Sequence, residues 1–120
     1  MSAHVASKSF AKPDETRQFE KGKVEVVHVG GTTLARATFE PGWKWSSHVK
    51  PIAKTNSCMA AHFGYQISGT LVTRMDDGAE TTSKAGDVVN IPPGHDAWVS
   101  GNEKVVVLDF MGMPNYAKAQ

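Results

Sequence analysis

The stretch His62-Phe63-Gly64-Tyr65-Gln66-Ile67-Ser68-Gly69 decides the fold. Its side chains alternate with a period of two, the pattern of a β-strand with two unlike faces, and a glycine closes it where a turn is needed. As a strand it sends His62, Gly64 and Gln66 to one side and Phe63, Tyr65 and Ile67 to the other. The second set is expected to pack in the core, with the Tyr65 hydroxyl satisfied at an edge. The first set combines an imidazole, a bare backbone and a carboxamide. It is expected to wall a small polar cavity.

The same texture continues on both sides. Upstream, Val24 to Val29 and Thr33 to Phe39 flank Gly30-Gly31, a hairpin signal. Pro41-Gly42 punctuates, and Trp43 to Val49 reads as resumed alternation, with both tryptophans on one face and Lys44, Ser46 and His48 on the other. Residues 50 to 57 read as a loop. Downstream, turns at Asp76-Asp77-Gly78, Ala85-Gly86-Asp87, Pro92-Pro93-Gly94 and Gly101-Asn102 separate short β-rich runs, of which Lys104 to Phe110 is the strongest. Many short strands between regular glycine turns predict an all-β sandwich or barrel. Residues 1–22 are polar and read as an N-terminal arm with one short helical turn after Pro13, residues 23–112 as the barrel, and residues 113–120 as a tail.

The chain has 120 residues, a single-domain length, with 13 Lys+Arg against 12 Asp+Glu. No basic block or stripe is present, so nucleic acid and membrane surfaces are not expected partners. One cysteine, Cys58, excludes an internal disulfide, and the first residues lack the apolar run of a signal peptide or span, so a cytoplasmic protein is expected. Cys58 reads as a small buried hydrophobe, with soft metal ligand or reactive thiol as the other reading. Trp43, Trp45 and Trp98 are expected in the core or in a dimer interface.

Gly42 followed by five residues and His48 resembles the opening of the first motif of the cupin family, and Pro92-Pro93-Gly94 preceded by Gly86 resembles the second. The resemblance spans roughly residues 24 to 110. It implies a cupin-type jelly-roll β-barrel, or double-stranded β-helix, commonly a homodimer, with histidines holding a divalent metal inside. Where the family pattern has a glutamate, seven residues before the closing Gly69, this chain has His62. Lys50 replaces a second histidine of the first motif and is expected to be solvated where the chain bends at Pro51. Ala97 stands at the usual histidine of the second motif, with His95 two positions earlier on the same face.

The resemblance thus implies His48, His62 and His95 as metal ligands and Gln66, on the face of His62, as a catalytic positioning group. Glu40 and Asp96 are candidates to orient a ligating histidine. Three neutral imidazoles would accept zinc, iron, nickel, copper or manganese and leave the ion its full charge. Two functions follow. One is a metal-dependent enzyme acting on a small molecule in the lumen, of dioxygenase, lyase or isomerase type. The alternative is a non-catalytic cupin that binds a small ligand as sensor or carrier.

Overall fold

The computed structural model describes residues 4–114 and 116–118. Strands β1 (Glu15–Phe19), β2 (Gly22–Val29), β3 (Thr32–Phe39), β4 (His62–Ser68), β5 (Thr70–Met75), β6 (Glu80–Lys84), β7 (Val88–Ile91), β8 (His95–Val99) and β9 (Val105–Asp109) form two antiparallel sheets. The larger has the order β1-β2-β3-β9-β4-β7, the smaller β6-β5-β8. Non-consecutive neighbours in both sheets are the mark of a jelly roll, in which successive strands cross between layers. No helix among the described residues is long and apolar enough to cross a membrane.

Alternation within each strand decides what enters the space between the sheets. Val24 and Val26 on β2, Ala35, Ala37 and Phe39 on β3, and Val105 on β9 face inward and are buried. Leu71, Ala97 and Val99 meet them from the smaller sheet. Phe39 stacks on Trp43 within the core, ring centroids 4.0 Å apart.

Strand β4 is as predicted, with its faces reversed in character. His62 and Gln66 are buried, whereas Phe63, Tyr65 and Ile67 are 45%, 40% and 46% exposed. Tyr65 therefore does not pack in the core. The apolar set lies on the outer face beside Val88 of β7 and Phe110 beyond β9, also exposed. Periodicity assigns residues to two faces; it does not say which face turns inward, and here the sheet's partner layer lies on the polar side. Gly64 leaves no room for a ligand either. A Cβ there would run into the Leu108 carbonyl of β9, so the glycine serves the close approach of two strands.

Three other expectations are corrected. Residues 15 to 19 of the predicted arm form β1, which pairs along β2, and no helical turn follows Pro13. Trp43 to Val49 does not continue as a strand: α1 (Trp45–His48) and α2 (Lys50–Ala53) are single helical turns that bury Trp45, Val49 and Ala53. Their wide apolar spacing fits a turn of helix as well as a strand, and packing under the barrel decides. The tail is no free arm, since Met113 and Tyr116 are core residues. Arg17 secures it, its Nη1 donating to the carbonyls of Met113 (2.7 Å) and Tyr116 (2.6 Å).

Candidate metal centre

Strand β4 begins with His62 on its inner face. Across the sheet, Asp109 ends β9 on the same face, and their side chains meet at 2.7 Å between His62 Nδ1 and Asp109 Oδ2. Asp109 is 1% exposed, and its other oxygen accepts the Met111 amide at 2.8 Å. A buried carboxylate accepts and does not donate when ionised, so His62 carries its proton on Nδ1 and keeps the Nε2 lone pair free.

His95 opens β8. Its Nδ1 lies 2.8 Å from the Pro92 carbonyl, which can only accept, so this imidazole too is protonated at Nδ1 with Nε2 free. The two rings stand edge to face, 5.4 Å between centroids.

Cys58 completes the group. An isolated β-bridge sets it opposite His95, with Cys58 N–H donating to the His95 carbonyl at 2.7 Å. Its Sγ lies 3.9 Å from His62 Nε2. One ligand atom from each of Cys58, His62 and His95 falls within 4.8 Å of the other two, and all three residues are buried. Ligand atoms around a tetrahedral zinc lie about 3.5 Å apart, given bonds of about 2.0–2.3 Å, so a modest contraction would close the set.

Burial sets the protonation. It pushes the Cys58 thiol up to about 11, helped by the charge of Asp96 and opposed by a hydrogen bond from the Ala60 backbone. It pushes His95 down to about 4, against the Pro92 hydrogen bond, with the neighbouring His62 adding to the fall. Of these two groups, only the thiol would have to release a proton near neutral pH to bind a cation.

The space beside the pair is small. A cavity of about 30 Å³ is lined by His62, His95, Trp43, Ile91, Met113 and Tyr116 among others, room for about two waters. Tyr116 packs its ring 5.5 Å from that of His62, and burial holds its phenol well above the usual range. The lumen is mostly filled by aromatic and aliphatic side chains.

The predicted ligands separate here. His62 and His95 come together and His48 does not. His48 ends α1, its Nδ1 accepting the Lys44 amide at 3.1 Å and its Nε2 3.8 Å from Glu20. Gln66 is no positioning group at the cavity: its Nε2 donates to the carbonyls of Gly69 (2.9 Å) and Ser83 (3.1 Å), tying β4 to the next turn and to β6. Lys50 is the first residue of α2. Asp96 accepts the Ser46 and Ala97 amides. The orienting carboxylate is Asp109 instead. One signal for it lay in the sequence, because alternation along β9 puts Asp109 on the face of Val105 and Val107, an acid where valines point inward. Cys58, read first as a small buried hydrophobe and second as a soft metal ligand or reactive thiol, is set beside the two imidazoles by the bridge to His95.

No protein-family profile matches the sequence. No curated protein matches it either. Solved structures do. A protein of unknown function (DUF1255) from Acidithiobacillus ferrooxidans superposes with a TM-score of 0.57 at 17% identity, covering 80% of this chain and 86% of that one. A cupin-like protein from Thermotoga maritima gives 0.50 at 21% identity, over 73% of this chain and 65% of that one. The chain has a cupin-type fold. A protein of unknown function from Vibrio parahaemolyticus shares it, with a TM-score of 0.53 at 13% identity over 75% and 87% of the two chains. Identities this low carry the cupin fold alone, so the site rests on the residues of this chain.

Proposed function

We propose that this cupin holds a divalent transition ion between Cys58, His62 and His95 and acts with it on a small molecule. The observation that carries the reading is the orientation of the imidazoles. Asp109 and Pro92 each accept a hydrogen bond from an Nδ1–H, leaving two Nε2 lone pairs beside one thiol within 4.8 Å. The donor set differs from three neutral imidazoles. A thiolate adds one negative charge and softness, which favours zinc or copper and disfavours manganese. Three protein ligands leave coordination positions open, and the ion would supply Lewis acidity toward an oxygen-bearing molecule. Asp109 holds the His62 ring in place, and Tyr116 and Met113 keep bulk water from the site.

A second reading draws on the same atoms. Cys58, His62 and Asp109 form a chain of nucleophile, base and orienting acid. Against it stand a thiol raised to about 11 and the convergence of His95, for which a triad has no use.

Metal analysis of protein purified without an affinity tag separates the two. Close to one equivalent is expected, falling on Cys58→Ser and His62→Ala. Less than about 0.1 equivalent, with none taken up on titration with zinc, copper or iron, would overturn the metal reading. A metal-loaded protein that turns over no substrate would move the reading to a non-catalytic sensor or carrier.

The outer face of the larger sheet supports a homodimer as part of the same proposal. Phe63, Tyr65 and Ile67 on β4, Val88 on β7 and Phe110 just beyond β9 are exposed side by side, an apolar patch of the kind that marks association.

A further inference from the structure

The lumen has a second chamber. Between the β5–β6 hairpin and the edge strand β7 lies a cavity of about 120 Å³, against about 30 Å³ beside the histidines. Thr73, Thr81 and Ser83 line it from the hairpin, and Val89, Asn90 and Ile91 from β7. None of its lining residues is ionisable.

Strand register places this chamber beside the candidate metal centre. Thr73 pairs with Thr81 on one side and with Ala97 on the other, and Met75, next on the same face, pairs with His95. Ile91 pairs with His62 and lines both cavities. The chamber's polar groups have spare capacity. Thr73 is 7% exposed, and its hydroxyl has no hydrogen-bond partner among the described residues. Ser83 Oγ is engaged only as donor, to the Leu71 carbonyl at 3.4 Å. The Thr73 oxygen borders the open space of the chamber and is not sealed in the wall, so a guest can take the place of water on it.

We infer that this chamber binds an uncharged organic molecule with one hydroxyl or carbonyl oxygen, which pairs with Thr73 while the apolar part lies against Val89 and Ile91. Charge is excluded because nothing in the wall would compensate an ion taken out of water. Size is bounded by comparison: a dry protein cavity of about 150 Å³ accommodates benzene, so the guest has about six or seven non-hydrogen atoms. Thr81 and Asn90 are exposed and lie at the solvent side, so the guest enters between the edge strands β6 and β7. The inference deepens the proposed function, and as a substrate site it rests on the metal at Cys58, His62 and His95; the chamber's affinity does not.

The test is a titration of the metal-free protein with phenol, benzoate and toluene, followed by amide chemical shifts. Phenol is expected to give saturable shifts at Thr73, Thr81, Val89 and Ile91, and benzoate none. Thr73→Val, which keeps the shape and removes the hydroxyl, is expected to weaken phenol about fivefold and leave toluene unchanged. Val89→Phe, filling the chamber, is expected to abolish both while the zinc content on loading stays at the wild-type level. Absence of saturable shifts with phenol, equal binding of benzoate, or an unchanged phenol affinity in Thr73→Val would overturn the inference. Should Thr73→Val lose its native circular dichroism, the phenol-to-benzoate comparison and Val89→Phe decide alone. Because the titration uses metal-free protein, a wild type that takes up no metal fails the proposed function without touching this result.

Discussion

His62 and Asp109, 47 positions apart in the sequence, form a buried pair 2.7 Å long that fixes which imidazole nitrogen faces the lumen. Replacing the acid with Asn keeps the shape and the bond to the Met111 amide and removes the charge. For Asp109→Asn we expect metal affinity to fall about 10- to 100-fold, the usual effect of losing such a partner. Competition against a chromophoric chelator measures it. An affinity within about twofold of wild type would detach Asp109 from the site.

Ligand identity has a spectroscopic signature. Copper(II) or cobalt(II) bound through Cys58 should show a sulfur-to-metal charge-transfer band. The band is expected to vanish in Cys58→Ser and to persist in His48→Ala, since His48 faces Lys44 and Glu20. In metal-free protein the thiol, raised to about 11, should react slowly with iodoacetamide at pH 8. Fast alkylation would favour the nucleophile reading instead.

His95 predicts the response to acid. Its folded value of about 4 lies below the unfolded 6.5, so between these the unfolded chain binds a proton that the native state does not. Stability of the metal-free protein should therefore be full above about pH 6.5 and fall as the pH drops toward 4, by roughly 3 kcal/mol from this group. Urea melts of wild type and His95→Asn across this window provide the check. Identical slopes against pH in the two would contradict the assignment.

Gln66 separates structure from chemistry. Gln66→Met removes the donors to Gly69 and Ser83, and about 1–3 kcal/mol of stability should go with them. Zinc affinity should stay as in wild type. A loss of affinity with unchanged stability would return Gln66 to the site.

The exposed rings of β4 bear on assembly. Wild type is expected to scatter light as a dimer, and Phe63→Glu with Phe110→Glu as a folded monomer. A monomeric wild type at high micromolar concentration would remove the proposed interface.

The sequence by itself determined the β-rich architecture, the glycine turns and the face shared by His62, Gly64 and Gln66; the meeting of His95 with His62 was only an implication of the cupin resemblance. The first three follow from rules that act within a strand or turn: a period of two, and residues that tolerate positive φ. The tertiary structure alone decided the rest. Which face of β4 turns inward depends on where the second sheet lies, and that put Phe63, Tyr65 and Ile67 outside. Strand pairing brought Asp109 to His62, the bridge at Cys58 put a thiol where an imidazole was expected, and the helical turns after Lys44 carried His48 away. Each is a contact between distant segments, set by packing of the whole barrel, and no local pattern of residues encodes it.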